Sequence, residues 1–215
     1  NQLASEYDEN RFGNSYGQFI DFQERRILNK IFKNQSGKIL DLACGSGRLT
    51  NFATSGADAS EEMLKIAQKK HSEKEFFQAK SNDLPFEKES FQGCLTFHFI
   101  MHLNEVVFTK TIDEVHRILS KNGTFVFDIP VKSRRKILNQ NQENWHAALS
   151  FNQDEIEKFI KNKFEIRKKF GLLIIPIHRI PKRFRKYFLT FDFLLSNFGL
   201  LKNLSSYHIY ELRKI

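Results

Sequence analysis

The turn Asp41-Leu42-Ala43-Cys44-Gly45-Ser46-Gly47 limits what this chain can fold into more than any other feature. Residues 38–43 form a short apolar run that reads as a buried strand, and the run ends in a glycine turn that opens a helix. Glycine lets the backbone pass close to a ligand, and the start of a helix leaves N–H groups without intrahelical partners. A dinucleotide-binding fingerprint would need a third glycine, in the pattern G-x-G-x-x-G. Here Thr50 occupies that position. Asp41 also stands four positions before the first glycine, which suits a ligand bearing a cationic amino group.

The rest of the chain supplies alternating elements. Residues 14–33 place Ile20, Ile27, Leu28, Ile31 and Phe32 on one side of a predicted helix. Ser60 is a suitable N-cap for a helix over 61–71. Asn104 can cap another through Ser120, which Gly123 is expected to close. Strands are expected at 75–79, 91–100 and 124–129, the second apolar enough to be covered on both faces. The pattern then changes to a helix at 152–163, a strand-like segment at 164–177, a basic and aromatic helical stretch at 181–198 and a terminal strand at 205–214. The alternation predicts a doubly wound, mostly parallel α/β sheet with an antiparallel strand pair added at one edge. A chain of 215 residues suits one such domain.

One segment is cramped. Between Thr50 and Asp58 there is hardly room for a full crossover helix and a second strand, because a parallel crossover takes about a dozen residues. Either that helix is cut to one or two turns, or the sequence lacks residues at this point.

Composition narrows the function classes. Cys44 and Cys94 are the only cysteines, too few for a disulfide framework. No CxxC or Cys/His cluster suggests a metal site, so none is expected. A reducing, cytoplasmic location is the simple inference, and no apolar signal segment opens the sequence. The net charge of +9 is unevenly spread. Residues 131–215 hold 18 Lys and Arg against 7 Asp and Glu, while residues 1–130 hold 16 against 18. An anionic partner for the C-terminal region follows, whether a membrane surface, RNA or an acidic substrate, unless the charge is simply a solvated face. The apolar stretch 187–201 is interrupted by Asp192 and is too short to span a bilayer comfortably.

Three further segments follow the glycine turn in order. Gly56-Ala57-Asp58-Ala59-Ser60-Glu61-Glu62-Met63-Leu64 puts a carboxylate at a strand end before a helix, where doubly wound folds bind ribose hydroxyls. Asn82-Asp83-Leu84-Pro85-Phe86 follows a strand, and Phe97-His98-Phe99-Ile100-Met101-His102-Leu103 ends another. With these in place the sequence resembles class I S-adenosylmethionine-dependent methyltransferases. It is similar to their small-molecule, type 11 branch, which includes the ubiquinone/menaquinone methyltransferases. The likeness runs over residues 40–130, over two fifths of the chain.

The resemblance implies a Rossmann-like methyltransferase fold and S-adenosyl-L-methionine as cofactor, with S-adenosyl-L-homocysteine as product. It implies that Asp41, Ala43, Gly45 and Gly47 hold the methionine portion and that Asp58 accepts from the ribose hydroxyls. Ala59 and Met63 would pack on adenine, with Asn82, Asp83 and Leu84 at its edge. Phe97 and His98 would lie near the sulfonium, and Tyr7 and Tyr16 could close over the site. The single domain would divide into an N-terminal helical lid (1–37), a cofactor-binding core (38–130) and an acceptor-side region with a basic, aromatic insertion (131–215). One departure stands out. Family members often carry an Asp-Ala pair where this chain has Lys80 and Ser81, so the usual acceptor for the adenine amino group is missing.

Methyl transfer needs an in-line nucleophile, and proximity and orientation are expected to supply most of the acceleration. For a hydroxyl acceptor, His102 and His98 are the candidate general bases, since histidine titrates near neutral pH. His116 is expected to be structural, and His146 and His178 could face the acceptor. Between 180 and 198, Lys182, Arg183, Arg185 and Lys186 interleave with Phe184, Tyr187, Phe188, Phe191 and Phe193. That pattern fits an interfacial helix on anionic lipid or a single-stranded RNA platform, although Asp192 favours simple cover for the sheet edge. The leading expectation is an enzyme that methylates a small or lipophilic acceptor at O, C or N. The alternatives are an RNA-modifying methyltransferase and a non-catalytic scaffold with the cofactor fold.

Overall fold

A computed structural model describes residues 12–131, 151 and 153–215. Helix α1 (Ser15–Phe32) is followed by strand β1 (Ile39–Leu42), strand β2 (Ser55–Asp58), helix α2 (Glu61–Lys70), strand β3 (Glu75–Gln78) and strand β4 (Phe91–Thr96). Helix α3 (Glu105–Ile118), strand β5 (Leu119–Pro130), helix α4 (Gln153–Ile160), strand β6 (Phe164–Leu172), helix α5 (Leu189–Ser196) and strand β7 (Tyr207–Lys214) complete the chain. The strands form one seven-stranded sheet in the order β3-β2-β1-β4-β5-β7-β6. The first five pair in parallel, and β7 lies antiparallel to both β5 and β6. This is the expected doubly wound sheet with its antiparallel edge.

Successive side chains of a strand point to opposite faces, so a strand buried on both sides feeds two cores. In β5, Phe125 and Phe127 join one cluster and Val126 the other. The first cluster packs the sheet against α3 and α4 through Phe108, Ile112, Val115, Ile156 and Ile160. The second packs it against α1 and α5 through Phe19, Ile20, Ile27, Leu28 and Phe193. The helix starts follow local chemistry. Asn14 accepts from the amides of Tyr16 and Gly17, Ser60 from Met63, and Asn104 from Val107.

The cramped crossover is cut to one 3-10 turn, Thr50–Phe52, after which β2 pairs with β1. The Lys74 ammonium donates to the carbonyls of Thr50 at 2.6 Å and Ala53 at 2.7 Å, capping a turn too short to satisfy its own C-terminal end. The expectation that Gly123 closes α3 is corrected. The helix ends at Ile118, and Leu119 already pairs with Phe91. The ladder resumes only at Gly93 opposite Thr124, so Gly123 sits inside a bulge, where a Cβ would meet the Ser120 carbonyl at 2.8 Å. The segment expected as a strand to Ile177 leaves the sheet after Leu172, and the 181–198 stretch divides into a 3-10 segment, Lys182–Phe188, and α5.

Candidate functional site

A cavity of about 380 Å³ opens at the C-terminal ends of β1, β2 and β4. Small-molecule sites usually occupy ~300–1,000 Å³, and in open α/β sheets they lie at this edge. The glycine turn forms one wall. Gly45 has φ 53° and a Cβ built there meets nothing within 4 Å, so its missing side chain leaves open space. Gly47 does different work. A Cβ there would meet Ala67 of α2 at 3.1 Å and His71 at 3.0 Å, so this glycine lets α2 pack against the turn. Gly47 is not among the residues lining the cavity.

Two acids shape that wall. Asp41 is buried and accepts a hydrogen bond from the Thr50 hydroxyl at 2.6 Å. Burial raises its pKa to about 7, against the opposing pull of Thr50 and Arg48. Asp58, at the end of β2, accepts from the Gly45 amide at 2.8 Å and from the Ser60 amide at 2.9 Å. One carboxylate thus ties the glycine turn to the start of α2. Ala43, Ala59 and Met63 line the same cavity, as do Phe97 and His98.

His98 belongs to a buried charged cluster. Its Nε2 lies 2.7 Å from Glu24 Oε1, and its Nδ1 lies 3.6 Å from Asp128 Oδ2. Its backbone amide donates to Asp128 Oδ1 at 2.6 Å, holding the residue at φ 54°. Arg48 pairs with Glu24 at 2.8 Å and Asp21 at 2.5 Å. Burial favours neutral imidazole, but Glu24 and Asp128 outweigh it and hold the His98 pKa above the usual histidine value. Burial would raise the Glu24 carboxyl, yet His98 and Arg48 bring it down to about 2. Burial raises the Asp128 pKa despite His98. Both ring nitrogens are shielded from the cavity and from solvent.

Glu24, His98 and Asp128 are close enough together to share a metal ion. However, the two ring nitrogens face different carboxylates, and Arg48 already places a fixed cation beside Glu24. A protonated imidazole fits this arrangement better than a metal.

The remaining expected residues lie elsewhere. His102 is exposed on a 3-10 turn, Ile100–His102, away from the cavity lining. Asn82, Asp83 and Leu84 are also outside the lining. Leu84 is a core residue, and Ala79 and Ser81 line the cavity instead. Tyr16 packs at the edge of the second core, and Phe12 is the N-terminal ring that reaches the cavity, 5.6 Å from the His98 ring and under Arg48 at 3.9 Å. His116 packs edge-on against Phe164, as a structural histidine would, and His178 is exposed. Tyr7 and His146 lie outside the described residues.

Sequence reasoning missed Glu24, Arg48 and Asp128. Two of them left a signal. Glu24 stands on the apolar face of α1 between Ile20 and Ile27, and Asp128 interrupts the apolar run of β5. An acid inside a buried stripe needs a partner.

Known proteins resemble the stretch of chain that builds this cavity. Residues 40–127 match the family model described as a methyltransferase domain. The ubiquinone/menaquinone biosynthesis C-methyltransferase UbiE of Campylobacter jejuni is 28% identical over 142 residues, which cover 59% of each chain. Over residues 40–127 the chain carries a methyltransferase domain of the class I S-adenosylmethionine-dependent type. An uncharacterized protein of Methanocaldococcus jannaschii is 34% identical over 131 residues, 60% of this chain and 49% of that protein. The chain therefore spans about half to three fifths of the length of these curated relatives. A solved S-adenosylmethionine-dependent methyltransferase of Thermotoga maritima shares the fold, with a TM-score of 0.70 at 18% identity over 97% of this chain and 99% of that one.

Proposed function

We propose that this methyltransferase domain binds S-adenosyl-L-methionine in the cavity beside Asp58 and methylates a small or lipophilic acceptor, leaving S-adenosyl-L-homocysteine. The observation that carries the reading is Asp58 itself. Its carboxylate is fixed by the Gly45 and Ser60 amides at the mouth of a glycine turn whose Gly45 side is open. The residues present fit the cofactor. Asp41 and the turn 43–47 would hold the cationic methionine portion, Asp58 the ribose hydroxyls, and Ala59 and Met63 the adenine. When bound, the cofactor supplies an electrophilic methyl group on a sulfonium.

The chain's own residues then bind and orient. Arg48 and Phe12 cover the His98 side of the cavity. His98 is a positioning residue. Through Glu24 it fixes α1 to the end of β4, and through Asp128 it fixes β4 to β5. Its neighbours Glu24 and Asp128 favour its protonated form and shield both ring nitrogens, and His102 does not line the cavity. Catalysis would rest on proximity and orientation.

Isothermal titration with S-adenosyl-L-methionine and S-adenosyl-L-homocysteine tests the first step. Saturable binding of both is expected, and no heat at millimolar ligand would remove the proposal. Turnover with a panel of phenols, quinols and amines tests the second.

A further inference from the structure

We infer that residues 180–204 form a docking face for the surface of an anionic lipid bilayer. Among the described residues, five of the seven large apolar side chains that are more than half exposed lie here. Leu200 is 84% exposed, Phe198 73%, Tyr187 69%, Leu194 59% and Phe191 53%. They come from three consecutive short elements, Lys182–Phe188, α5 and Gly199–Leu204. Exposing this much apolar surface is costly unless something covers it.

The polar residues of the segment say what covers it. Lys182, Arg183 and Lys186 are exposed, and the Arg183 and Lys186 cations sit over the rings of Phe184 and Tyr187 at 4.7 and 5.0 Å. Asp192 is the one acid between 180 and 204, and it points inward. It is fully buried and accepts from Gln23 Nε2 at 2.8 Å and the Ile175 amide at 2.7 Å. The outward face is therefore apolar and cationic with no exposed carboxylate of its own, the pattern of an interfacial surface. The objection that Asp192 raises in the sequence disappears once its side chain is seen to face α1.

The chemistry favours lipid over other partners. Leu194, Leu200, Leu201 and Leu204 have no ring to stack on a nucleobase, whereas hydrocarbon accepts them. A second copy of the chain would bring two cationic faces together without counter-charges. No described helix is long and apolar enough to cross a membrane, so contact would be with the surface alone.

The face is coupled to the cavity. Gln23, which holds Asp192, is next in sequence to Glu24, which holds His98, and Arg185 donates to Ser15 Oγ at 2.7 Å at the start of the same helix. Docking would set α1 and the cavity beside the bilayer. Collection of a lipophilic acceptor from the membrane rests on the methyl-transfer reading, but docking itself does not.

Vesicle flotation tests it. The chain is expected to float with vesicles of phosphatidylglycerol and phosphatidylcholine, to bind phosphatidylcholine alone weakly, and to lose binding as salt rises. The triple substitution Phe191→Ser, Phe198→Ser, Leu200→Ser should cut partitioning at least about tenfold, since exposed side chains can be changed without opening the core. Circular dichroism and cofactor titration, read separately, should be unchanged, so failure of docking is distinguishable from failure of the enzyme reading. Absence of binding to anionic vesicles at low salt would overturn the inference. So would dimers in sedimentation equilibrium that the triple substitution abolishes, or single-stranded RNA binding that survives it when vesicles are not bound.

Discussion

Glu24 Oε1 lies 2.7 Å from His98 Nε2, so a carboxylate from α1 and an imidazole from the end of β4 are paired in the buried wall of the cavity. The pair joins the N-terminal helix to the sheet at the point where the glycine turn opens. Each supports the other's charge at that depth, together with Arg48 beside Glu24 and Asp128 beside His98.

The Glu24 carboxyl, lowered from 4.5 to about 2, stabilises the fold above pH ~4.5 and loses that contribution as pH falls toward 2. Glu24→Gln is expected to cost about 3 kcal/mol at pH 7, because it removes the charge that His98 and Arg48 stabilise. Urea unfolding at pH 7 and pH 3 checks this, and the cost should shrink at the lower pH.

His98 titrates in the opposite sense. Its raised pKa gives stability that is complete below ~6.5 and is lost as pH rises through the folded value. In Glu24→Gln the ring loses its nearest anion, so its pKa should fall. Imidazole NMR titration of wild type and variant reads the shift directly, and an unmoved pKa would contradict the pairing.

Asp41 sets stability against binding. With its pKa raised to about 7, the folded chain keeps a proton that the unfolded chain has lost from about pH 4 upward. Stability from this group therefore declines between pH ~4 and 7. Asp41→Asn should raise ligand-free stability at pH 8 by up to about 4 kcal/mol, an upper bound from a three-unit shift. The same change should weaken cofactor binding at least about tenfold by removing the anion for the amino group. Thermal melts paired with calorimetry test both halves.

Asp58→Ala removes the acceptor for two amides, those of Gly45 and Ser60, together with the proposed ribose contact. Cofactor affinity should fall about 10–100-fold, as expected for losing charge-assisted hydrogen bonds of ~1.5–3 kcal/mol. Full retention of affinity in the calorimeter would exclude Asp58 from the site.

Much of the fold was legible because local rules governed it. Ser60 and Asn104 cap their helices through side chains that sequence spacing identifies, and apolar runs mark β4 and β5. Where local rules competed, the reading slipped. Gly123 looked like a helix stop, but the Leu119–Phe91 pairing recruits the chain into the sheet earlier and leaves the glycine in a bulge. The shortened crossover depends on Lys74, whose long side chain returns from beyond α2 to cap it, a contact that no local pattern announces.

The sequence by itself determined the glycine turn, the Asp41 and Asp58 carboxylates and the alternation that places them at the C-terminal edge of a parallel sheet. Those features depend on neighbours within a few residues and on the period of apolar side chains. Only the tertiary structure decided that Glu24 and Asp128 enclose His98, that His102 stays outside the cavity, and that Asp192 turns inward. The reason is physical. A buried charge is stable only beside a partner, and the partners of His98 and Asp192 lie on other elements, brought within reach only when the helices close onto the sheet.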